Sequence, residues 1–454
     1  MNAVIVGCGK VGTELAKTLV NDGHNVSVID RSEKALSLVT EAVDILPVLG
    51  NGADINTLRS AGIDTADIFI AVSPSDELNL LACLIAGSES EDIKTIARVR
   101  NPVYSKETKF LKNRLGLSKI INPELMAASE IYKLLQYPAL SRLDTFADGR
   151  VVIFTMHVDG MYSIEGKSLQ EIGSDTDYNM LVCAVERNGE VVIPSGNFIL
   201  NDGDEISVVA AIPEMKRFLK TLGLKSDPAR SCLITGGGVI AYYLTDMLLK
   251  SKRQVRLIEL DEKTCGFFSE DFPEAEIIHG DGTDKSFLLK QGLKYVDAFV
   301  PLTGIDEENI ISATYAKNVS DAKVITKINR TDLNDVMDEL HVDSAVYPKL
   351  ICADSIAQYV RAQSKGIGGQ VETLYRYLDN RIEVLELIAS EDKDLTDIPL
   401  TELGSRLKDN LILACIIRDG TFIIPSGKDT IRSGDSVIVV TTHKGISSLH
   451  EILA

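Results

Sequence analysis

Residues 1–12, MNAVIVGCGKVG, determine how the rest of the chain is interpreted. Residues 3–6 form a short apolar run, typical of a strand that is buried on both faces of a parallel sheet. Gly7, Gly9 and Gly12 follow, and then a helical pattern begins. In a G-x-G-x-x-G sequence between a strand and a helix, the glycines permit a tight turn, and the helix N-terminus offers backbone N–H groups to a pyrophosphate. The stretch therefore predicts a nucleotide-binding loop.

The next predicted strand, residues 25–29, leads into Asp30, which lies 18 residues after Gly12. A carboxylate at this spacing accepts hydrogen bonds from ribose hydroxyls and repels a 2′-phosphate, so the pocket should prefer NAD or an adenine nucleotide over NADP. Two observations keep an alternative open. A solvated acid at a strand end has the same pattern, and the neighbouring Arg31 would suit a 2′-phosphate.

Strands and helices alternate up to residue 121, with further strands predicted over residues 42–49, 67–72 and 95–99. Strict alternation predicts an α/β fold, a Rossmann-like, doubly wound parallel sheet covered on both faces. The loops after these strands lie where open α/β sheets bind ligands. Arg98, at the end of the last of these strands, suits a phosphate, although a surface salt bridge explains it equally well.

The pattern changes after Pro138. Short apolar runs over residues 151–158 and 179–194 predict strands, and Asn188-Gly189 between two runs is a strong hairpin signal. This segment is a small α+β domain, closed by a predicted helix over residues 213–222. It contains neither paired carboxylates nor a nucleophile beside a base, and no metal-ligand spacing. We therefore predict no catalytic residue and no metal site.

The second half of the chain repeats the first. Gly236, Gly238 and Ala241 follow the three loop glycines at a constant distance of 229 residues, and Glu259 repeats Asp30. Other counterparts are Asp281 for Asn51, Asn309 for Asn79, Lys327 for Arg98 and Pro348 for Pro123. The chain is therefore predicted to be two tandem copies of one domain pair.

The predicted limits are residues 1–122 for the first Rossmann-like domain, 123–137 for a linker helix, 138–223 for the first small domain, 230–347 for the second Rossmann-like domain, 348–366 for a second linker helix and 367–454 for the second small domain. The linker helix is interpreted as a connector or a dimer arm.

The two copies differ in ways that favour the first pocket over the second as a nucleotide-binding site. Ala241 replaces the third glycine, and Lys327 replaces a planar guanidinium with a point charge. Pro301 is expected to interrupt the fourth strand of the second copy. Tyr242 and Tyr243 are expected to crowd the helix that faces the phosphates.

The amino-acid composition disfavours several classes of protein. The net charge of −19 disfavours nucleic acid, which would be repelled at long range. The sequence has no apolar run long enough to cross a membrane and starts with a strand, so we expect no signal peptide and a cytoplasmic location. The seven cysteines include no C-x-x-C pair, so reduced, buried thiols are expected.

Two nucleotide pockets without a catalytic partner are better explained by a sensor than by an enzyme, because ligand binding can change how domains pack. An NAD-dependent dehydrogenase, supported by the glycine motifs alone, is the chief alternative.

Several motifs together carry a family resemblance: IVGCGKVG, IDRSEK at Asp30, VLGNGADINTLRSAGIDTADIFIAVSPSDELNLLAC, IARVRNP around Arg98, and the repeated PSG…GD pattern. Over essentially its full length the chain resembles the TrkA family, regulatory subunits of Trk-type potassium uptake systems with two RCK (KTN) domains, each followed by a TrkA-C domain. The resemblance implies a homotetrameric ring beneath a membrane potassium-translocating subunit of the TrkH/TrkG type. It also implies NAD(H) or ATP/ADP as a regulatory ligand. A ligand-binding module of another potassium channel or of an antiporter is a further alternative.

The resemblance also implies roles for individual residues, in both copies. The phosphates would meet Gly7, Cys8, Gly9, Lys10, Val11, Gly12 and Arg98, the ribose Asp30, and the adenosine Asn51 and Gly52, with Val72 and Ser73 at the border of the pocket. In the second copy the same parts would fall to Gly236, Gly237, Gly238, Val239, Ile240, Glu259, Asp281 and Lys327.

Overall fold

The computed structural model of the chain describes residues 1–90, 92–105, 107–146, 149–158, 163–175, 178–224, 227–330, 344–363, 371–377, 381–446 and 448–454. The end of the predicted second linker helix, residues 364–366, and the start of the second small domain, residues 367–370, lie outside them. The chain forms two compact units. The first comprises Met1–Tyr132 and Ala229–Val360, and the second comprises Lys133–Pro228 and Arg361–Ala454.

The strands are numbered in chain order. Those of the first half are β1 (Asn2–Val6), β2 (Asn25–Asp30), β3 (Leu46–Leu49), β4 (Ile68–Ala71), β5 (Lys94–Arg98), β6 (Lys119–Ile121), β7 (Arg142–Phe146), β8 (Val151–His157), β9 (Met180–Arg187), β10 (Glu190–Val192) and β11 (Glu205–Ala211). Those of the second half are β12 (Ser231–Thr235), β13 (Gln254–Glu259), β14 (Glu276–His279), β15 (Ala298–Pro301), β16 (Lys323–Lys327), β17 (Ser344–Val346), β18 (Val371–Tyr377), β19 (Ile382–Ile388), β20 (Leu411–Arg418), β21 (Thr421–Ile423) and β22 (Ser436–Thr441).

The α-helices of the described residues are numbered in the same way. They are α1 (Lys10–Asn21), α2 (Glu33–Ala42), α3 (Ile55–Ser60), α4 (Asp76–Glu89), α5 (Pro102–Ser105), α6 (Thr108–Arg114), α7 (Pro123–Gln136), α8 (Leu169–Asp175), α9 (Ile212–Thr221), α10 (Val239–Lys250), α11 (Glu262–Asp271), α12 (Lys285–Lys290), α13 (Asp306–Val319), α14 (Pro348–Gln363) and α15 (Leu400–Leu403). Short 3-10 helices cover Ile63–Thr65, Leu293–Tyr295, Gly404–Arg406 and Leu449–Ile452.

The first unit contains two six-stranded parallel sheets of identical topology. Their orders are β3-β2-β1-β4-β5-β6 and β14-β13-β12-β15-β16-β17. In each sheet the strand that precedes a glycine loop lies at the centre, paired on both sides. This is the doubly wound arrangement, in which ligands bind at the carboxyl ends of the central strands. The predicted fold class is confirmed.

Two local predictions were wrong. The third strand begins at Leu46, because Ala42 is the last residue of α2. Pro301 does not interrupt β15: it is the last residue of that strand and pairs with Thr235, and the N–H of Leu302 continues the ladder. On its other side β15 pairs with β16 over two residues, whereas the equivalent strand of the first copy, β4, pairs with β5 over four.

The two sheets of this unit are joined by their last helices, α7 and α14, which we call the first and second crossover helices. The second crossover helix contributes Cys352, Ala353, Ile356, Ala357 and Val360 to the apolar core of the first copy, where they are buried with residues of β1 and α1. The first copy is therefore completed by a helix of the second.

The first crossover helix contacts the second copy in turn. The Arg253 guanidinium lies over the Tyr132 ring, 5.4 Å from its centroid. At the start of the helix, Asn122 Nδ2 donates to the hydroxyl of Tyr243 (2.9 Å), and that hydroxyl donates to the Arg100 carbonyl (3.0 Å). The predicted linker helix thus contacts both copies within one chain.

The second unit contains two five-stranded antiparallel sheets, ordered β10-β9-β11-β8-β7 and β18-β19-β22-β20-β21. One core joins Phe146 and Ile153 of the first sheet to Val384 and Ile438 of the second. The predicted hairpin at Asn188-Gly189 is present, with φ of +52° and +78°. These angles fit a type I′ turn, which favours Asn-Gly.

The repeated GD pattern of the small domains has a structural explanation. Asp204 is buried and accepts two hydrogen bonds from the Arg187 guanidinium, at 2.6 and 2.7 Å. Asp435 and Arg418 repeat this pair at 2.9 and 2.7 Å. Each aspartate also accepts a backbone N–H of its own turn, at 2.8 Å in both domains. The motif therefore ties a turn to a strand.

Candidate functional site

The first glycine loop is compact because its glycines leave no room for side chains. Gly7 has φ +99°, and a Cβ there would lie 2.9 Å from the Ser73 nitrogen. A Cβ on Gly12 would lie 1.9 Å from the Gly7 carbonyl oxygen. Gly9 is the N-cap of α1 and provides no side-chain cap. The first N–H groups of this 12-residue helix therefore remain available to an anion.

Asp30 lies against this loop. Its carboxylate accepts the N–H of Cys8 (2.8 Å) and that of Ser32 (2.9 Å). The second copy repeats the arrangement with Glu259, which accepts the N–H of Gly237 (2.5 Å) and that of Asp261 (2.7 Å). Burial and the neighbouring Asp30 raise the pKa of the Cys8 thiol to about 12, so the thiol stays protonated.

The loops after β3 and β14 lie at the same edge of each sheet. Gly50, which follows β3, donates its N–H to the Asp30 carbonyl (2.9 Å). The side chain of Asn51 accepts the N–H of Ala53 (3.3 Å), and its counterpart Asp281 accepts that of Thr283 (2.8 Å). The predicted ribose and adenosine residues of each copy therefore follow adjacent strands.

A fully buried asparagine fixes the loop after β4. Asn79 accepts the Ser73 N–H (2.8 Å) and donates to the carbonyls of Ser73 (3.0 Å) and Arg98 (2.9 Å). Asn309 makes the equivalent three bonds to Thr303 and Lys327, at 2.9, 3.2 and 3.1 Å. The repeat showed this residue pair, but sequence reasoning assigned it no role.

The two glycine loops line one cavity of about 430 Å³. Both helix N-termini take part, through Gly9 to Val11 of the first copy and Gly238 to Ala241 of the second. The cationic side chains in the lining are Lys10, Arg98, Arg100, Lys327 and Lys349, and the acidic one is Glu124. The charge of this cavity opposes that of the chain as a whole, and the cavity suits a phosphate.

Burial shapes the electrostatics of the cavity. The Arg98 guanidinium donates to the Ser73 carbonyl (2.7 Å), and burial, followed by Arg100, lowers its pKa. Its Nε atom has no hydrogen-bond partner within the described part of the chain. Lys327 donates to the carbonyls of Thr303 and Leu302, and burial lowers its pKa as well. Burial raises the pKa of Glu124.

The predicted residues fall into two groups. One group lines the cavity: Gly9, Lys10, Val11, Val72, Arg98, Gly238, Val239, Ile240 and Lys327. The others do not line it. They lie in the glycine loops, in the first turn of α1, at the ends of β2 and β13, and in the loops after β3, β4 and β14: Gly7, Cys8, Gly236 and Gly237; Gly12; Asp30 and Glu259; Asn51, Gly52, Ser73 and Asp281.

The expectation that Tyr242 and Tyr243 crowd the phosphate-facing side of the second helix was wrong. Tyr242 packs against Phe267, Phe268 and Phe272 and donates to Asp271 (2.8 Å), while Tyr243 bonds to the first copy as described above. Neither lines the cavity.

Sequence reasoning missed Arg100, Glu124, Asn329 and Lys349, which also line the cavity. Glu124 and Lys349 are the second residues of the two crossover helices. The motif IARVRNP, which contains Arg100, was a signal for one of these residues. The sequence contains no comparable signal for Glu124, Asn329 and Lys349, because their position at the cavity depends on how the two copies pack together.

Comparison of the sequence with known protein families identifies the family to which the chain belongs. The sequence matches the TrkA-N domain family over residues 3–123 and 232–348, and the TrkA-C domain family over residues 152–223 and 384–454. The chain belongs to the TrkA family. The resemblance and the tandem repeat predicted from the sequence are confirmed.

TrkA relatives match over nearly their whole length. Trk system potassium uptake protein TrkA homolog 1 of Methanosarcina mazei is 29% identical, and the match covers 99% of this chain and 99% of the relative. Trk system potassium uptake protein TrkA of Haemophilus influenzae is 28% identical, with 98% and 96% covered.

Solved structures support the TrkA-type fold. A GsuK channel bound to NAD is 17% identical, with a TM-score of 0.63 and coverage of 98% of this chain and 77% of that chain. GsuK bound to ADP is 15% identical, with a TM-score of 0.51 and coverage of 80% and 69%.

Within the described residues, no helix has the length and hydropathy of a membrane span, and no group of three or more His, Cys, Asp or Glu side chains could hold a metal ion.

Proposed function

We propose that this chain is a cytoplasmic, nucleotide-binding regulatory subunit that gates a Trk-type membrane potassium transporter in response to NAD(H) or ATP/ADP. The observation that carries the proposal is the shared cavity, in which two glycine loops and five cationic side chains from both copies converge. A ligand whose phosphates enter this cavity contacts both copies, so its binding energy depends on their relative position. Binding and the arrangement of the copies are then coupled.

Several proteins similar to this chain support the assignment. The relatives are named potassium uptake proteins, and solved structures of similar fold contain NAD or ADP. In the first copy we assign the phosphates to Gly7–Gly12 and Arg98, and the ribose to Asp30. The adenosine is assigned to Asn51 and Gly52. The second copy uses its equivalent residues from Gly236 to Lys327.

The partners are proposed on the same basis. A regulatory subunit of this kind acts through a membrane potassium-translocating subunit of the TrkH/TrkG type and is held at the inner face of the membrane by it. Assembly into a homotetrameric ring needs an exposed contact surface. Leu81, Leu84, Val103 and Phe110, all at least 44% exposed, provide apolar side chains for one on α4 to α6.

Calorimetric titration with ATP, ADP, NAD and NADH separately tests the proposal. Asp30→Ala should lower affinity by about 1–3 kcal/mol, because a charged hydrogen bond to ribose is lost. Glu259→Ala is the matched variant for the second pocket. Failure of all four nucleotides to bind the unmodified protein would contradict the proposal.

An absorbance assay for nicotinamide turnover on alcohols, amino acids and hydroxy acids tests the dehydrogenase alternative. Reproducible turnover would establish that alternative instead.

A further inference from the structure

The two crossover helices begin with opposite charges at equivalent positions. Pro123-Glu124 starts the first and Pro348-Lys349 starts the second, and both charged side chains line the shared cavity. The glycine loops differ as well, because Lys10 of the first loop corresponds to Val239 of the second. The cavity is therefore built from two similar copies but is not symmetric in charge.

At the Glu124 end, cations face carboxylates. Arg98, Arg100 and Asp76 all act on the Glu124 carboxylate. Asp76 also accepts the backbone N–H of Arg100 (2.9 Å), and its second oxygen lies 3.7 Å from Arg100 Nε. The charges at this end are thus largely balanced within the protein.

At the Lys349 end, positive charge is in excess. Lys349 Nζ donates to the Asn329 carbonyl (3.1 Å) and comes within hydrogen-bonding reach of Lys10. The other charged groups that act on it are Lys327, which repels it, and Asp306, whose carboxylate already accepts three N–H groups of residues 329 and 330. Across the described ranges, neither Lys10 nor Lys349 forms an ion pair with a carboxylate.

We propose that one phosphate group bridges the ammonium groups of Lys10 and Lys349, and that Lys349 is the residue through which the second copy recognises this phosphate. This inference rests on the proposed function, because it concerns the cavity to which nucleotide phosphates are assigned there. The bridging phosphate belongs either to a nucleotide or to a free anion in that cavity. At the equivalent positions of the other half of the cavity, Val239 takes the place of Lys10 and Glu124 takes the place of Lys349. The Glu124 carboxylate repels a phosphate, so no second bridge of this kind can form. The cavity therefore holds one bridging phosphate for two copies.

The protonation of Lys349 gives a direct readout. Burial, followed by the neighbouring Lys10, lowers the pKa of Lys349 to about 8. A phosphate between the two ammonium groups stabilises the charged form and raises that pKa. Well below its pKa, the neutral and reactive fraction of a lysine falls about tenfold for each pH unit by which the pKa rises. Bound phosphate should therefore protect Lys349 from acylation.

The experiment is competitive labelling with acetic anhydride at pH 7, read for each lysine by mass spectrometry, with the full chain alone or with ATP, ADP, NAD, inorganic phosphate or pyrophosphate. We expect Lys349 to be protected, whereas Lys250, an exposed lysine paired with Asp246, should be unaffected. Protection by inorganic phosphate or pyrophosphate alone assigns the bridge to a free anion. Protection by nucleotides alone assigns it to their phosphate chain.

Two variants separate this inference from the proposed function. Lys349→Gln should weaken binding of the protecting anion about tenfold. Lys349→Arg should retain binding and abolish the loss of affinity that the unmodified protein shows as pH rises through about 8. If nucleotides bind but neither Lys349 labelling nor the Lys349→Gln affinity changes, the bridge is wrong and the proposed function stands. If no nucleotide binds, the proposed function is wrong, and the two inorganic anions still test the bridge.

Discussion

Ile356→Ala should destabilise the first copy, although residue 356 belongs to the second. Ile356 is fully buried among core side chains of the first copy. The substitution removes three carbon atoms, worth about 0.8 kcal/mol each in transfer free energy, and the remaining cavity brings the expected loss to about 3–4 kcal/mol. Hydrogen exchange by mass spectrometry should therefore show faster exchange in β1 and α1.

Two control variants make this test specific. Leu58 is fully buried in a core of the first copy alone, and Leu288 in a core of the second copy alone. Ile356→Ala should reproduce the exchange pattern of Leu58→Ala. A pattern confined to the second copy, like that of Leu288→Ala, would refute the exchange of crossover helices.

Two further predictions concern polar groups. Asn79→Ala removes three hydrogen bonds, and the Ser73 N–H and the Arg98 carbonyl lose their Asn79 partner, whereas the Ser73 carbonyl keeps its bond from the Arg98 guanidinium. The free energy of unfolding in urea should therefore fall by about 3 kcal/mol. Asn309→Ala should cost a similar amount, and a loss below about 1 kcal/mol in both variants would contradict this role. Burial raises the pKa of the Asp204 carboxyl, but the hydrogen bonds from Arg187 and from the Asn201 N–H outweigh burial, so the pKa is lowered overall. This pair should therefore stabilise the small domain at pH values above about 4 and lose its effect as pH falls further. Urea midpoints measured from pH 6 to pH 3 check this, since Asp204→Asn should flatten the dependence, and an unchanged pH profile would exclude the pair as its source.

Much of the fold was predictable because the information is local and is present twice. An apolar run followed by a glycine loop and a helix specifies a strand–turn–helix unit, and the same succession 229 residues later identifies a tandem copy. The Asn188-Gly189 hairpin was predictable for the same reason, since its positive φ values favour those residues. Pro301 misled the prediction because a missing N–H matters little at the last residue of a strand.

The contacts between copies could not be predicted from the sequence. Periodicity shows that residues 352–360 have an apolar face, but it does not show which sheet that face covers. The same limit applies to Lys349, which looks like an ordinary surface lysine until its helix is placed at the first glycine loop. The nucleotide roles of Asp30 and Arg98 stay predictions, although both residues lie at the carboxyl ends of interior strands of the first sheet, β2 and β5.

The exchanged helix also has a consequence for how the chain is made. The last strand of the first copy ends at Ile121, but its core requires side chains up to Val360. At about 5–20 residues per second, ribosomes need roughly 10–50 s to add the intervening chain. Throughout that interval the newly made first sheet lacks part of its apolar cover. The nascent chain must therefore be shielded from aggregation while its own second half is still being synthesised.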